Sequence, residues 1–172
     1  MQRGFSILEV IITIFVIIVG IVGVYSLVPR IVAISFANKD KFIASQLAKE
    51  GMELTRNIRD SNWLEQIGNP ANLWDEGLVS DCGGVCNCLS GCRIDYTMLG
   101  APDPVLPVYS AAYLNIDGDG FYSYSASLTQ TKFQRKITIS KVLNQYLEVT
   151  VEVFWQPDNS VFTVKERLYN WR

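Results

Sequence analysis

Residues 5–28 read FSILEVIITIFVIIVGIVGVYSLV, and one acidic residue, Glu9, stands at the mouth of an otherwise apolar run. From Val10 to Val28 there are 19 residues without a charge, and only Thr13, Tyr25 and Ser26 carry polar side-chain groups. As a helix rising about 1.5 Å per residue, that run spans roughly 28 Å, close to the hydrocarbon thickness of a bilayer. The stretch therefore predicts a membrane-spanning helix. A carboxylate drawn into such a layer costs at least about 3 kcal/mol, so a sequence that keeps one at the edge has a use for it.

The helical pattern continues beyond the apolar run. In KDKFIASQLAKEGMELTRNIRD, residues Ile43, Leu47, Leu54 and Ile58 recur at spacings of 4, 7 and 4, one stripe of an amphipathic helix, with Lys49, Glu50, Glu53 and Arg56 mainly off it. A helix from Ser6 to Asp60 has 55 residues, about 80 Å of rod. No small domain covers that length, so the first half needs another partner, lipid to begin with. Gly20, Gly23 and Pro29 predict a kink or local melting near residues 20–30. The helix is expected to end near Asn62 or Trp63.

From Gly68 to Pro107 the chain is rich in Gly, Pro, Asn and Asp and reads as irregular. The period then changes to two. In YLEVTVEVFW, Leu147, Val149, Val151, Val153 and Trp155 share one face while Glu148, Thr150 and Glu152 share the other. Phe133, Arg135, Ile137 and Ile139 alternate in the same way, and SVFTVKERLYNW gives a third run with Phe162, Val164 and Leu168 inward. QPDNS reads as the turn between the last two strands, and AAYLNIDGDGFYSYS as a hairpin around Asp117-Gly118-Asp119-Gly120. The expected fold class is α+β: a long N-terminal helix packed on a C-terminal antiparallel sheet of four or five strands. Its parts are an apolar helix over 5–30, an amphipathic helix over 31–63, a cysteine-containing variable loop region over 64–107 and the sheet region over 108–172.

At 172 residues the chain has material for one membrane segment and one modest domain. A formal charge of −2 and a pI near 5.2 give no global attraction to nucleic acid. The only candidate basic stripe is Lys132, Arg135, Lys136 and Lys141. There is no histidine, the commonest general base, and neither a phosphate loop nor a nucleophile elbow. The sequence thus points away from catalysis and calls for no cofactor. The basic residues flanking the apolar run, Arg3 before it and Arg30, Lys39 and Lys41 after it, leave its orientation ambiguous. The run is longer than the core of an ordinary secretory signal, so an uncleaved signal anchor is the plain alternative.

The junction itself, Met1-Gln2-Arg3-Gly4 followed by Phe5-Ser6-Ile7-Leu8-Glu9-Val10, resembles the class III signal of type IV pilins and the related pseudopilins. The resemblance is motif-specific over residues 1–30 and rests beyond them on the helix-then-sheet layout. RNIRDSNWL and a last strand ending in YNW also look like a group of minor-pilin-like proteins. What the resemblance implies is a leader of residues 1–4, cut by a prepilin peptidase on the cytoplasmic side after Gly4, with methylation of the new amino terminus on Phe5. It further implies a single-pass protein of the cytoplasmic membrane, N-terminus inside and globular domain outside. Its partners would be the prepilin peptidase, a pilus assembly platform with its ATPase machinery, and other pilin subunits. Glu9 would match the fifth mature residue and set subunit register against a neighbour's terminal ammonium. A pseudopilin of a type II secretion system, or an anchored exterior binding domain that never assembles, are the alternatives.

In an exterior compartment Cys82, Cys86, Cys88 and Cys92 predict two disulfides. A bond across Cys86-x-Cys88 is disfavoured as a small strained ring, while 82–86 with 88–92 and 82–88 with 86–92 stay open. A tetrathiolate zinc site competes weakly, because paired C-x2-C knuckles are missing. The disulfides are expected to hold a Gly-rich loop that buries little apolar surface and that on a filament surface could serve adhesion. Asp117 and Asp119 offer two carboxylates to calcium, too few for a typical loop, so a plain hairpin turn is the first reading. The aromatic residues Tyr109, Tyr113, Phe121, Tyr122 and Tyr124 cluster in sequence around it, with packing as the first reading and ligand stacking as the second.

Overall fold

The computed structural model describes residues 6–80, 82, 86–99, 106–157 and 159–170. One helix, α1 (Ile7–Gly68), precedes five strands, β1 (Tyr113–Ile116), β2 (Tyr122–Ser123), β3 (Thr129–Val142), β4 (Tyr146–Trp155) and β5 (Ser160–Tyr169). The fold is α+β. The chain divides into two units, Met1–Phe42 and Ile43–Arg172.

In the first unit α1 is long and apolar enough to cross a membrane. Its large apolar side chains from Ile7 to Val28 are 45–81 % exposed. The helix is unbroken through Gly20, Gly23 and Pro29, so the expected melting is absent. Proline deletes one backbone donor, and the turns on either side keep theirs.

In the second unit the helix supplies Ala44, Leu47, Ala48, Met52, Leu54, Ile58 and Trp63 to the core. It runs on to Gly68, past the expected end at Asn62 or Trp63. Trp63 is buried and stacks on Trp74 with ring centroids 6.4 Å apart, and the Asn62 amide donates to the carbonyls of Trp74 and Glu76. The chain after the helix thus folds back on its last turns and keeps them ordered.

The sheet order is β2-β1-β3-β4-β5, with every neighbouring pair antiparallel. Strands β3 and β4 pair from Phe133 with Trp155 to Val142 with Tyr146, so their alternating apolar residues fall on one face. Phe133, Ile137, Ile139, Leu147, Val149, Val151 and Val153 are all buried there, each contributing about 1.5–3 kcal/mol by leaving water. Leu168 of β5 is buried as expected, whereas Phe162 and Val164 are only half-buried because β5 is an edge strand.

Strand β1 covers the edge of β3 only as far as Gln134. Beyond it Cys92 takes over: its N–H donates to the Ile137 carbonyl at 2.8 Å and the Ile137 N–H donates back at 3.0 Å. Gly91 makes this approach possible. Its φ is +125°, a backbone conformation that residues with a Cβ rarely adopt, so the position favours glycine.

The region expected to bury little apolar surface is corrected by the structure. Trp74, Leu78, Cys88, Cys92, Ile94 and Leu106 all belong to the core. Its order comes from backbone pairing with β3 and from side-chain anchors, neither of which leaves a periodic pattern in sequence.

Candidate functional site

Two places carry chemistry, the start of α1 and the contact layer between helix, cysteine loop and sheet. At the first, Glu9 lies exposed in the first turn of α1, its N–H donating to the Ser6 carbonyl at 3.0 Å. The Thr13 hydroxyl donates to the Glu9 and Val10 carbonyls, both at 2.9 Å, which spares this polar side chain an unpaired hydroxyl in apolar surroundings. No hydrogen bond or ion pair reaches the Glu9 carboxylate among the described residues. Gly4 and Phe5 lie outside the described residues. A carboxylate so placed among exposed apolar side chains is costly in a low-dielectric setting unless a cation arrives from elsewhere.

In the head, the pairing left open by sequence is Cys82 with Cys86 and Cys88 with Cys92. The second bond is in the core, its cysteines 1 % and 0 % exposed, while Cys82 and Cys86 are half-buried. Asp117 and Asp119 form the hairpin between β1 and β2. One Asp117 carboxylate oxygen accepts the N–H groups of Asp119 (3.0 Å) and Phe121 (2.8 Å), so it is committed to the turn. No group of three or more His, Cys, Asp or Glu side chains that could hold a metal occurs among the described residues.

The four basic residues of the sequence stripe do not share a face. Arg135 is fully buried, and Lys141 is tied to the buried Asp75 carboxylate at 2.8 Å, with the Ser80 hydroxyl donating to the same oxygen at 2.7 Å. Arg135 was visible as an inward position in the alternation of β3, but its partners were not. Its guanidinium donates to the Leu47 carbonyl of α1 at 3.0 Å and to the Ile94 carbonyl of the cysteine loop at 2.6 Å, and Glu50 lies 3.4 Å away. One buried cation thus joins helix, loop and sheet, where charge-assisted bonds are strongest.

Nearby, the buried Asp95 accepts from the Thr97 N–H and hydroxyl with one oxygen and from the Tyr124 N–H with the other. Tyr124 donates its hydroxyl to the Arg135 carbonyl at 3.0 Å, and burial pushes its pKa up to about 12 despite the opposing pull of Arg135 and Arg93. The sequence aromatics are therefore dispersed. Tyr124 serves this network, Phe121 packs on Tyr96 at 5.9 Å, and Tyr109 packs on Phe154 at 6.4 Å. Burial, with help from Glu152 and Tyr113, raises the Tyr109 pKa. At the helix surface Arg56 bridges Glu53 and Glu166, and its bond to Glu166 raises its pKa further.

Comparison of the chain with family models, with curated proteins and with solved structures gives no match.

Proposed function

We propose that the chain is a subunit of a type IV pilus, in a minor or tip-proximal role, or of the closely related pseudopilus. In this reading a prepilin peptidase cuts between Gly4 and Phe5 and methylates Phe5. Helix α1 then holds the subunit in the membrane with the head outside, until the assembly platform and its ATPase build it into a filament with other pilin subunits. The filament would act in adhesion, motility or uptake.

One observation carries the reading: an exposed Glu9 carboxylate opens a helix none of whose residues from 7 to 42 is buried by the chain's own fold. Lipid covers such a surface before assembly, and sister helices cover it afterwards. Moving Glu9 into a packed core of helices requires a positive partner, and the terminal ammonium on Phe5 of a neighbour would supply it. A buried pair adds little net stability, but removing one partner leaves an uncompensated charge at a cost of about 3–5 kcal/mol. The pair would therefore fix axial register.

The test is intact-mass and N-terminal peptide spectrometry on membrane and sheared surface fractions. N-methylated Phe5 in the sheared fraction is expected; an intact Met1 confined to membranes would leave a signal-anchored exterior domain instead. Glu9→Leu should be cut normally yet be missing from the sheared fraction, and its normal incorporation would remove Glu9 from the register role.

A further inference from the structure

On the sheet face turned away from α1, a cleft of about 370 Å³ opens beside Tyr109, Tyr113 and Phe154, with Gln134, Gln156 and Asn159 among its other walls. We infer that this cleft binds a neutral saccharide, one or two pyranose rings deep. The site belongs to the head and does not depend on filament assembly.

The rings come from three different segments. Phe154 lies across the sheet from Gln134, Tyr113 pairs with Gln134 from the other side, and Tyr109 leans on Phe154 from the loop before β1. These rings are half-buried, which leaves their outer faces to a ligand. A pyranose offers a matching surface, since its axial C–H groups form an apolar face while its hydroxyls project around the rim.

The amides fit that rim. The Tyr109 hydroxyl donates to Gln134 Oε1 at 3.3 Å, which leaves Gln134 Nε2 as a donor to the cleft. Gln156 Nε2 donates to Asn159 Oδ1 at 2.9 Å, which leaves Gln156 Oε1 as an acceptor and Asn159 Nδ2 as a donor. Vicinal hydroxyls are donors and acceptors at once, so they complement such a mixed set, and the internal bonds hold the amides in place before a ligand arrives. A volume of this size lies within the range of small-molecule sites. A proline-rich peptide would use the rings but offers the amides only acceptors, leaving the Gln156 Oε1 acceptor unmatched; Lys132 also lines the cleft, its ammonium 5.8 Å from the Phe133 ring, and can donate to a sugar hydroxyl.

The test is saturation-transfer NMR on the full chain in lipid nanodiscs, free of sugar-headed detergent, with cellotetraose, N-acetylated chitotetraose and maltotetraose as probes. Transfer to the axial C–H protons of at least one probe is expected. It should weaken about tenfold in Phe154→Ala, the loss of one buried ring contact, and should also fall in Gln156→Ala and Asn159→Ala. The last two positions are exposed, so these variants keep the fold and report on the cleft alone. Absence of transfer to all three sugars overturns the proposal, as does transfer that survives all three variants. Binding of an octaproline peptide in place of the sugars would overturn it too.

Discussion

At Gly51 the backbone of α1 rests directly on the sheet: a Cβ there would stand 3.0 Å from Arg135 Cδ, 3.1 Å from Val151 Cγ1 and 3.3 Å from Ile137 Cδ1. Gly51→Ala gains about 1 kcal/mol of helix propensity and gives most of it back in crowding, so it should leave stability nearly unchanged. Gly51→Val should lower the unfolding free energy by about 2 kcal/mol, read from denaturant unfolding. In the head, Tyr124 predicts a pH dependence. Its folded-state pKa of about 12 lies above the ordinary value of 10.0, so its stabilisation is complete below about pH 10 and is lost as pH rises from about 10 to about 12. Tyr124→Phe should therefore show a shallower fall in melting temperature across that window than the unaltered chain. A parallel fall in the two proteins would contradict the assignment.

At the scale of elements, strand β4 was fully legible, since its burial alternates along its whole length as its apolar residues do. Arg135 was legible in position only: alternation put it inside, and nothing in sequence named the carbonyls of Leu47 and Ile94 that accept its bonds. The stretch between helix and sheet was least legible, because Trp74, Leu78 and Ile94 reach the core through contacts with distant segments and follow no period. Its disulfides differ in consequence. Each closes a loop with a sequence separation of 4, worth about 2 kcal/mol in chain entropy. Cys88→Ser with Cys92→Ser also buries two hydroxyls beside β3, so it should cost at least about 1–2 kcal/mol more than Cys82→Ser with Cys86→Ser. Melting temperatures of the two double variants would check the order, and equal losses would count against a core role for Cys88–Cys92.

At the scale of the whole molecule, burial among the described residues is confined to the second unit. Among the described residues the first buried position is Ala44, and every core residue follows it. The first unit has the composition of a membrane segment and the exposure of a surface awaiting a cover. Hydropathy marks the apolar run but ends it near residue 30, whereas the first unit extends to Phe42; the role proposed for Glu9 rests on chemistry that the isolated chain does not complete.

The Arg135 clamp has a mechanical consequence. Tension drawn along α1 enters the head at residues 44–63 and loads the helix in shear against the sheet. Apolar contacts can slide under such a load and re-form a fraction of a turn away. Any shift of the helix must first break the bonds from Arg135 to the Leu47 carbonyl and toward Glu50, so they resist the first step of slippage. Arg135→Leu should keep the head folded but lower its rupture force when single molecules are pulled from the helix end with optical tweezers. An unchanged force would place the resistance in the apolar layer instead.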